Sequence, residues 1–107
     1  MTRVIIVIKS DSCGFCIKLM QDIKQHKKDL RGIEVILIDS SHVKVATEAI
    51  TKLSTAYSDA IVSDVREAFE SVRAYPLVID IDTKRSSHPV ETHKGYSEDL
   101  IESLSRK

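Results

Sequence analysis

Two short aliphatic runs rich in β-branched residues, Val4 to Ile8 and Ile33 to Ile38, stand roughly a helix apart near the start of the chain. Both are nearly continuous rather than alternating, which suits strands covered on both faces in a partly parallel sheet. Lys9, Ser10, Asp11 and Ser12 break the first run. Then Cys16, Ile17, Met20, Ile23 and Leu30 recur at about the spacing of an amphipathic helix that ends at Arg31-Gly32. A strand-helix-strand unit has parallel strands and a right-handed crossover, so the loop after the first strand lies at the carboxyl edge of the sheet. Cys13 falls in that loop.

Further on, Val45, Ala49, Leu53 and Tyr57 and then Ile61, Val65, Ala68, Phe69 and Val72 form two helical stripes parted near Ser54 to Asp59. Ser58 is the expected N-cap of the second helix. Leu77 to Ile81 reads as a strand after Pro76, Asp82 to Arg85 as a hairpin turn, and Pro89 to His93 as the partner strand, with the proline favouring an edge. Gly95 ends it. Ser97-Glu98-Asp99 opens a last helix carrying Leu100, Ile101 and Leu104, with Arg106 and Lys107 at its far end. The sequence contains no repeat, low-complexity tract or linker, and residues 1–107 are expected to form one domain. With no Trp, three Tyr and two Phe, the core must be built from Val, Ile, Leu and Ala.

Charge narrows the partners. The chain carries 16 basic and 16 acidic residues, so it has no net field with which to hold a nucleic-acid backbone or an anionic membrane. No nucleic acid or membrane partner is expected. Val4 to Ile8 is far too short to span a bilayer and no small-residue cleavage site follows it, which predicts a soluble, unsecreted, cytoplasmic protein. Two cysteines without a secretory leader do not make a disulfide scaffold.

Cys13-Gly14-Phe15-Cys16 therefore needs another explanation. Two cysteines three apart at a helix start are able to close a small disulfide ring. The unpaired N-H groups there carry partial positive charge, which stabilises a thiolate on Cys13 and lowers its pKa. Cys13 is then the nucleophile, and Cys16, a turn inside, is the residue that resolves a mixed disulfide. Gly14 keeps the ring unstrained and lets a partner approach, while Phe15 offers an apolar contact. Taken alone, a CxxC is equally compatible with two small buried side chains or half of a metal site. Its place between a buried strand and an amphipathic helix favours redox chemistry. The chain has no second CxxC and no histidine pair with ligand spacing, so no metal site within one chain is expected. His26, His42, His88 and His93 read as scattered surface histidines. A phosphatase-type loop would place Arg six positions after the nucleophile, where Leu19 stands.

With these residues in place the sequence resembles the thioredoxin superfamily, in its order of elements along nearly the whole chain and in matched residues at three points. The first is the CGFC motif. The second is Ala74-Tyr75-Pro76, similar to the segment in which a cis-proline faces the active-site cysteines and the backbone before it pairs with an extended substrate. The third is Gly95-Tyr96-Ser97-Glu98-Asp99-Leu100, similar to the glycine turn before the last helix of thioredoxins and glutaredoxins. The resemblance implies an α/β thioredoxin-like fold: a central mixed four-stranded sheet flanked by helices, with an extended helical segment between the second strand and the cis-proline strand. It also implies an oxidoreductase exchanging a Cys13-Cys16 dithiol or disulfide with protein substrates and a redox-recycling partner, as a monomer or weak dimer. Gly14, Phe15, Tyr75, Pro76 and Gly95 would contact the substrate.

No resident cofactor is implied. Glutathione is disfavoured, because Tyr96 replaces the second glycine of the glutaredoxin turn and Ser10 stands where a glutaredoxin has lysine. Compared with thioredoxin proper, Ser12 replaces a tryptophan, Phe15 replaces a proline, and Val7 and Val35 occupy the positions of the buried aspartate and its lysine partner. Turnover is therefore expected to be slower or specialised. Two other functions remain open at this point. One is a metal or iron-sulfur carrier in which two chains each supply the CxxC, and the other is a non-catalytic module that binds through the helices of Val43 to Arg73.

Overall fold

The computed structural model describes residues 3–10, 13–25, 30, 32–39, 43–71, 75–85, 87–97 and 99–105. The order is β1 (Arg3–Lys9), α1 (Gly14–Gln25), β2 (Glu34–Asp39), α2 (Val43–Ser54), α3 (Asp59–Glu70), β3 (Leu77–Asp82), β4 (Val90–Lys94) and α4 (Leu100–Ser105). The four strands form one sheet in the order β2-β1-β3-β4. β1 runs parallel to β2 and antiparallel to β3, and β3 pairs antiparallel with β4. The mixed four-stranded sheet expected from the sequence is present.

Central β1 explains why its sequence does not alternate. Val4, Ile6 and Ile8 join Ile38, Leu77, Ile79 and Ile81 in a cluster with Leu53 of α2 and Val62 and Val65 of α3. Ile5 and Val7 point the other way, into a cluster with Leu19 of α1, Val78, and Leu100, Ile101 and Leu104 of α4. Each fully buried Ile or Leu contributes about 1.5–3 kcal/mol relative to exposure, so both faces of β1 must be apolar for the two helix layers to hold.

Local chemistry sets the boundaries. Ser58 caps α3, its side chain accepting from Ile61 N at 3.5 Å, as its position predicted. β4 begins one residue after Pro89. The Pro89 carbonyl still accepts from Asp82 N at 2.8 Å and closes the hairpin, but proline has no N-H with which to continue the ladder. α1 is described as far as Gln25, and Leu30, which the spacing placed in the helix, is buried in a turn. α4 starts at Leu100, with Ser97 O accepting from Leu100 N at 3.1 Å as a lead-in turn. Readings made on Asp11, Ser12, His26, His42, Ala74, Glu98, Arg106 and Lys107 fall outside the described residues. Among the described residues, no helix is long and apolar enough to cross a membrane.

Candidate functional site

β1 delivers the chain to the carboxyl edge of the sheet at Lys9, and α1 begins at Gly14. Cys13 N donates to Ser10 O at 3.3 Å, and Ile17 N donates to Cys13 O at 3.4 Å as the first helical bond. Cys13 is thus the N-cap of α1, and its sulfur does what a capping oxygen does, accepting from Cys16 N at 3.1 Å. The first turn of α1 contains no acidic residue to oppose negative charge at this position. Cys13 and Cys16 are joined as a disulfide with Cα atoms 5.2 Å apart. The two sulfurs are not equivalent, because Cys13 is half-buried whereas Cys16 is 2% exposed. Gly14 lies in the open, with nothing within 4 Å of where a Cβ would stand.

Strand register brings two distant loops to the same edge. Ile8 pairs with Leu77, and Leu77 pairs with Lys94, so the next row outward holds Lys9, Pro76 and Gly95. Gly95 N donates to Pro76 O at 2.9 Å and ties the two loops together. Gly95 has φ +79°, where a side chain would be strained, and the Tyr75-Pro76 peptide is cis. Pro76 is buried, and half-buried Tyr75 packs on the α2–α3 side of the core. The structure therefore gathers Cys13, Cys16, Gly14, Phe15, Pro76 and Gly95 at one end of the sheet.

It also places two residues there that the sequence did not single out as a pair. The rings of Phe15 and Tyr96 stack with centroids 6.0 Å apart and planes 13° from parallel. The Tyr96 hydroxyl donates to Asp22 Oδ2 in a short hydrogen bond, and Asp22 Oδ1 accepts Lys18 Nζ at 3.3 Å. Lys18 and Asp22 are legible as an i,i+4 pair on one helix, but nothing local links them to Tyr96, 74 residues from Asp22.

Val7 is buried among aliphatic side chains on the α1 side of the sheet and half-buried Val35 packs against the same cluster, so neither position carries an ionisable group. On the flank of α1 a groove of about 420 Å³ runs past Lys9, Ser10, Ile17, Met20 and Lys24 and touches Cys16.

A second polar cluster starts at the opposite end of the sheet and runs inward along β3 and β4. Asp80, fully buried, receives Arg3 at 3.2 Å and Arg85 at 3.2 Å, while Arg85 also reaches Glu91 at 3.6 Å. Arg3 further donates to Leu104 O and fastens α4. His93 belongs to this cluster and is not the solvated histidine its sequence context suggested. One ligating atom from each of Asp80, Glu91 and His93 lies within 4.8 Å of the others. The signal was the alternation Glu91-x-His93, with Glu91 paired across to Asp80 in the hairpin. Two guanidinium groups already neutralise the carboxylates, so the donor set does not fit a cation. Near this end the buried hydroxyl of Tyr57 is pushed above the usual phenol pKa by burial and then by the charges of Glu34 and Asp82.

Comparison with known proteins agrees with this geometry at the level of fold. No protein-family model and no curated protein sequence matches the chain. Among solved structures, a chloroplastic thioredoxin z, whose crystal structure is described as defining a novel type-specific target recognition, superimposes with a TM-score of 0.58 at 14% identity. The match covers 99% of this chain and 80% of that one. The protein has a thioredoxin-like fold, with its CxxC pair at the first turn of the helix that follows the central strand.

Proposed function

We propose that the protein is a thiol-disulfide oxidoreductase that exchanges its Cys13-Cys16 dithiol or disulfide with protein substrates. The observation that carries this reading is the asymmetry of the pair: Cys13 is accessible and caps α1 through its sulfur, whereas Cys16 is shielded. In the reduced protein, a Cys13 thiolate retains the Cys16 N-H and the positive end of α1 as partners, with no first-turn carboxylate against it. It attacks one sulfur of a substrate disulfide. That bond breaks, the substrate's other sulfur leaves as a thiolate and takes up a proton, and a mixed disulfide to Cys13 forms. Cys16 gives up its proton and attacks Cys13 Sγ, expelling the first substrate sulfur as a thiolate that is protonated in turn. Two electrons and two protons have passed to the substrate, and the Cys13-Cys16 disulfide remains. Run backwards, the same steps oxidise a dithiol.

The Tyr75-Pro76 and Gly95 loops, beside Lys9 at the edge of the sheet from which the chain leads to the cysteines, offer backbone for an extended substrate segment. Because Val7 and Val35 supply no relay, the proton from Cys16 passes to solvent or to the departing thiolate, which makes resolution the slow step. Recycling requires a thiol reductant or a disulfide oxidant from outside the chain.

The test is reduction of a disulfide-linked test protein with dithiothreitol as electron source. Catalysed reduction that is first order in this protein and lost when both cysteines are serine is the expected result. Reduction at the uncatalysed rate, in a protein shown to be folded, overturns the reading.

A further inference from the structure

Phe15 is 64% exposed although one face of its ring rests against Tyr96, so its other face is open to solvent beside the reacting sulfurs. Ile17, a further two residues along α1, is 59% exposed. Large apolar side chains left outside at a site where another polypeptide must approach are binding surface rather than core. Tyr96 would normally offer such a partner a polar tip. Here its hydroxyl is committed to Asp22, which is 8% exposed and is itself held by Lys18. What the stacked pair offers a ligand is therefore ring carbon, fixed in place by a buried carboxylate on the neighbouring helix.

Any substrate that delivers a sulfur to Cys13 carries its flanking residues across this surface. Phe15 lies two residues from Cys13 and one from Cys16, and an extended chain advances only about 3.5 Å per residue, so the residue next to the substrate cysteine is the one that reaches the ring. We propose that the Phe15–Tyr96 pair is a specificity ledge for a large apolar or aromatic side chain adjacent in sequence to the substrate's reactive cysteine, with Asp22 as the positioning residue that fixes Tyr96. This deepens the exchange function above and rests on it.

The experiment uses the reduced full-length protein and three disulfides: hydroxyethyl disulfide and two disulfide-linked peptides that differ only in Phe or Ser following the cysteine. The wild-type protein is expected to reduce all three and to favour the Phe peptide in kcat/KM by about tenfold, the scale of one aromatic contact plus its buried area, mostly through KM. Phe15→Ala, at an exposed position where folding is not at stake, and Tyr96→Ala are each expected to bring the preference below about threefold. Asp22→Ala reduces it partly, while Asp22→Asn, which still accepts from the Tyr96 hydroxyl, preserves it. A merely structural Asp22 would lower stability without moving this ratio. Equal kcat/KM for the two peptides in the wild type, or a preference that survives Phe15→Ala and Tyr96→Ala, overturns the ledge and leaves the exchange function standing. Failure of the folded wild type to reduce any of the three overturns the exchange function and the ledge with it.

Discussion

The two ends of the sheet both gather residues capable of chemistry, and they differ in what those residues have left to do. In the network that runs inward from the Arg3 end, Asp80, Glu91 and His93 resemble a ligand set, yet Arg3 and Arg85 occupy the carboxylates and tie β1, β3, β4 and α4 together. At the Cys13 end, the sulfur nearest solvent has a single backbone donor, and its surroundings are an open glycine, an exposed ring and two loops fixed by Gly95 N to Pro76 O. Residue type does not separate the two clusters; charge saturation and access do. Buried ions whose partners are complete serve as structure, and a half-buried sulfur with a shielded partner three residues on suits the exchange we propose.

The sharpest way to break this contrast is at the cysteines. Cys13→Ser is expected to abolish exchange, whereas Cys16→Ser still attacks and accumulates a mixed disulfide with substrate, seen as an adduct by non-reducing mass analysis. Normal turnover in either variant would remove the distinction between attacking and resolving sulfur.

At the other end, Asp80→Ala takes the carboxylate from the buried Arg3 while Arg85 keeps Glu91, and it is expected to cost about 3 kcal/mol in urea unfolding, with the exchange rate per folded molecule unchanged. A matching loss of activity in the folded fraction would mean that the two ends are coupled and not separate.

Gly95→Ala places a side chain at φ +79° but meets nothing within 4 Å, so backbone strain alone is expected to cost about 1–2 kcal/mol. Because the same residue ties the two loops, exchange with protein substrates falls with it. A stable Gly95→Ala protein with full activity would show that this loop geometry is not needed.

Tyr57→Phe is the smallest. Among the described residues the Tyr57 hydroxyl has no hydrogen-bond partner, so its removal is expected to change stability by less than about 1 kcal/mol near neutral pH. The raised pKa fixes the sign at alkaline pH: the wild type keeps its full stability below the ordinary phenol range and loses some as pH rises through the folded value. The variant lacks that fall. Identical pH profiles, measured by urea midpoints, would remove Tyr57 from the alkaline response.

The parts legible in the sequence were those written in local patterns. β1, both central helices with the Ser58 cap, the β3–β4 hairpin and the placement of Cys13 at the edge of the sheet all follow from periodicity and turn chemistry within a few residues. The Asp22–Tyr96 and Arg3–Asp80 contacts span 74 and 77 residues, and only the packed sheet brings such partners together. His93 was misread for the same reason, since a histidine on an edge strand looks solvated until its neighbours across β3 are known. Leu30 was read into α1 because it continues the apolar period, although it is buried from a turn.

The central claim is that Cys13 and Cys16 cycle between dithiol and disulfide. Intact mass and free-thiol count of the metal-stripped protein, equilibrated across a graded glutathione redox buffer, test it most directly. The account expects a reversible change of two hydrogens within one chain, with both thiols lost together and a single potential that fits the whole curve. Cysteines that never pair with each other across the series, or that copurify with a metal whose binding blocks pairing, would contradict it.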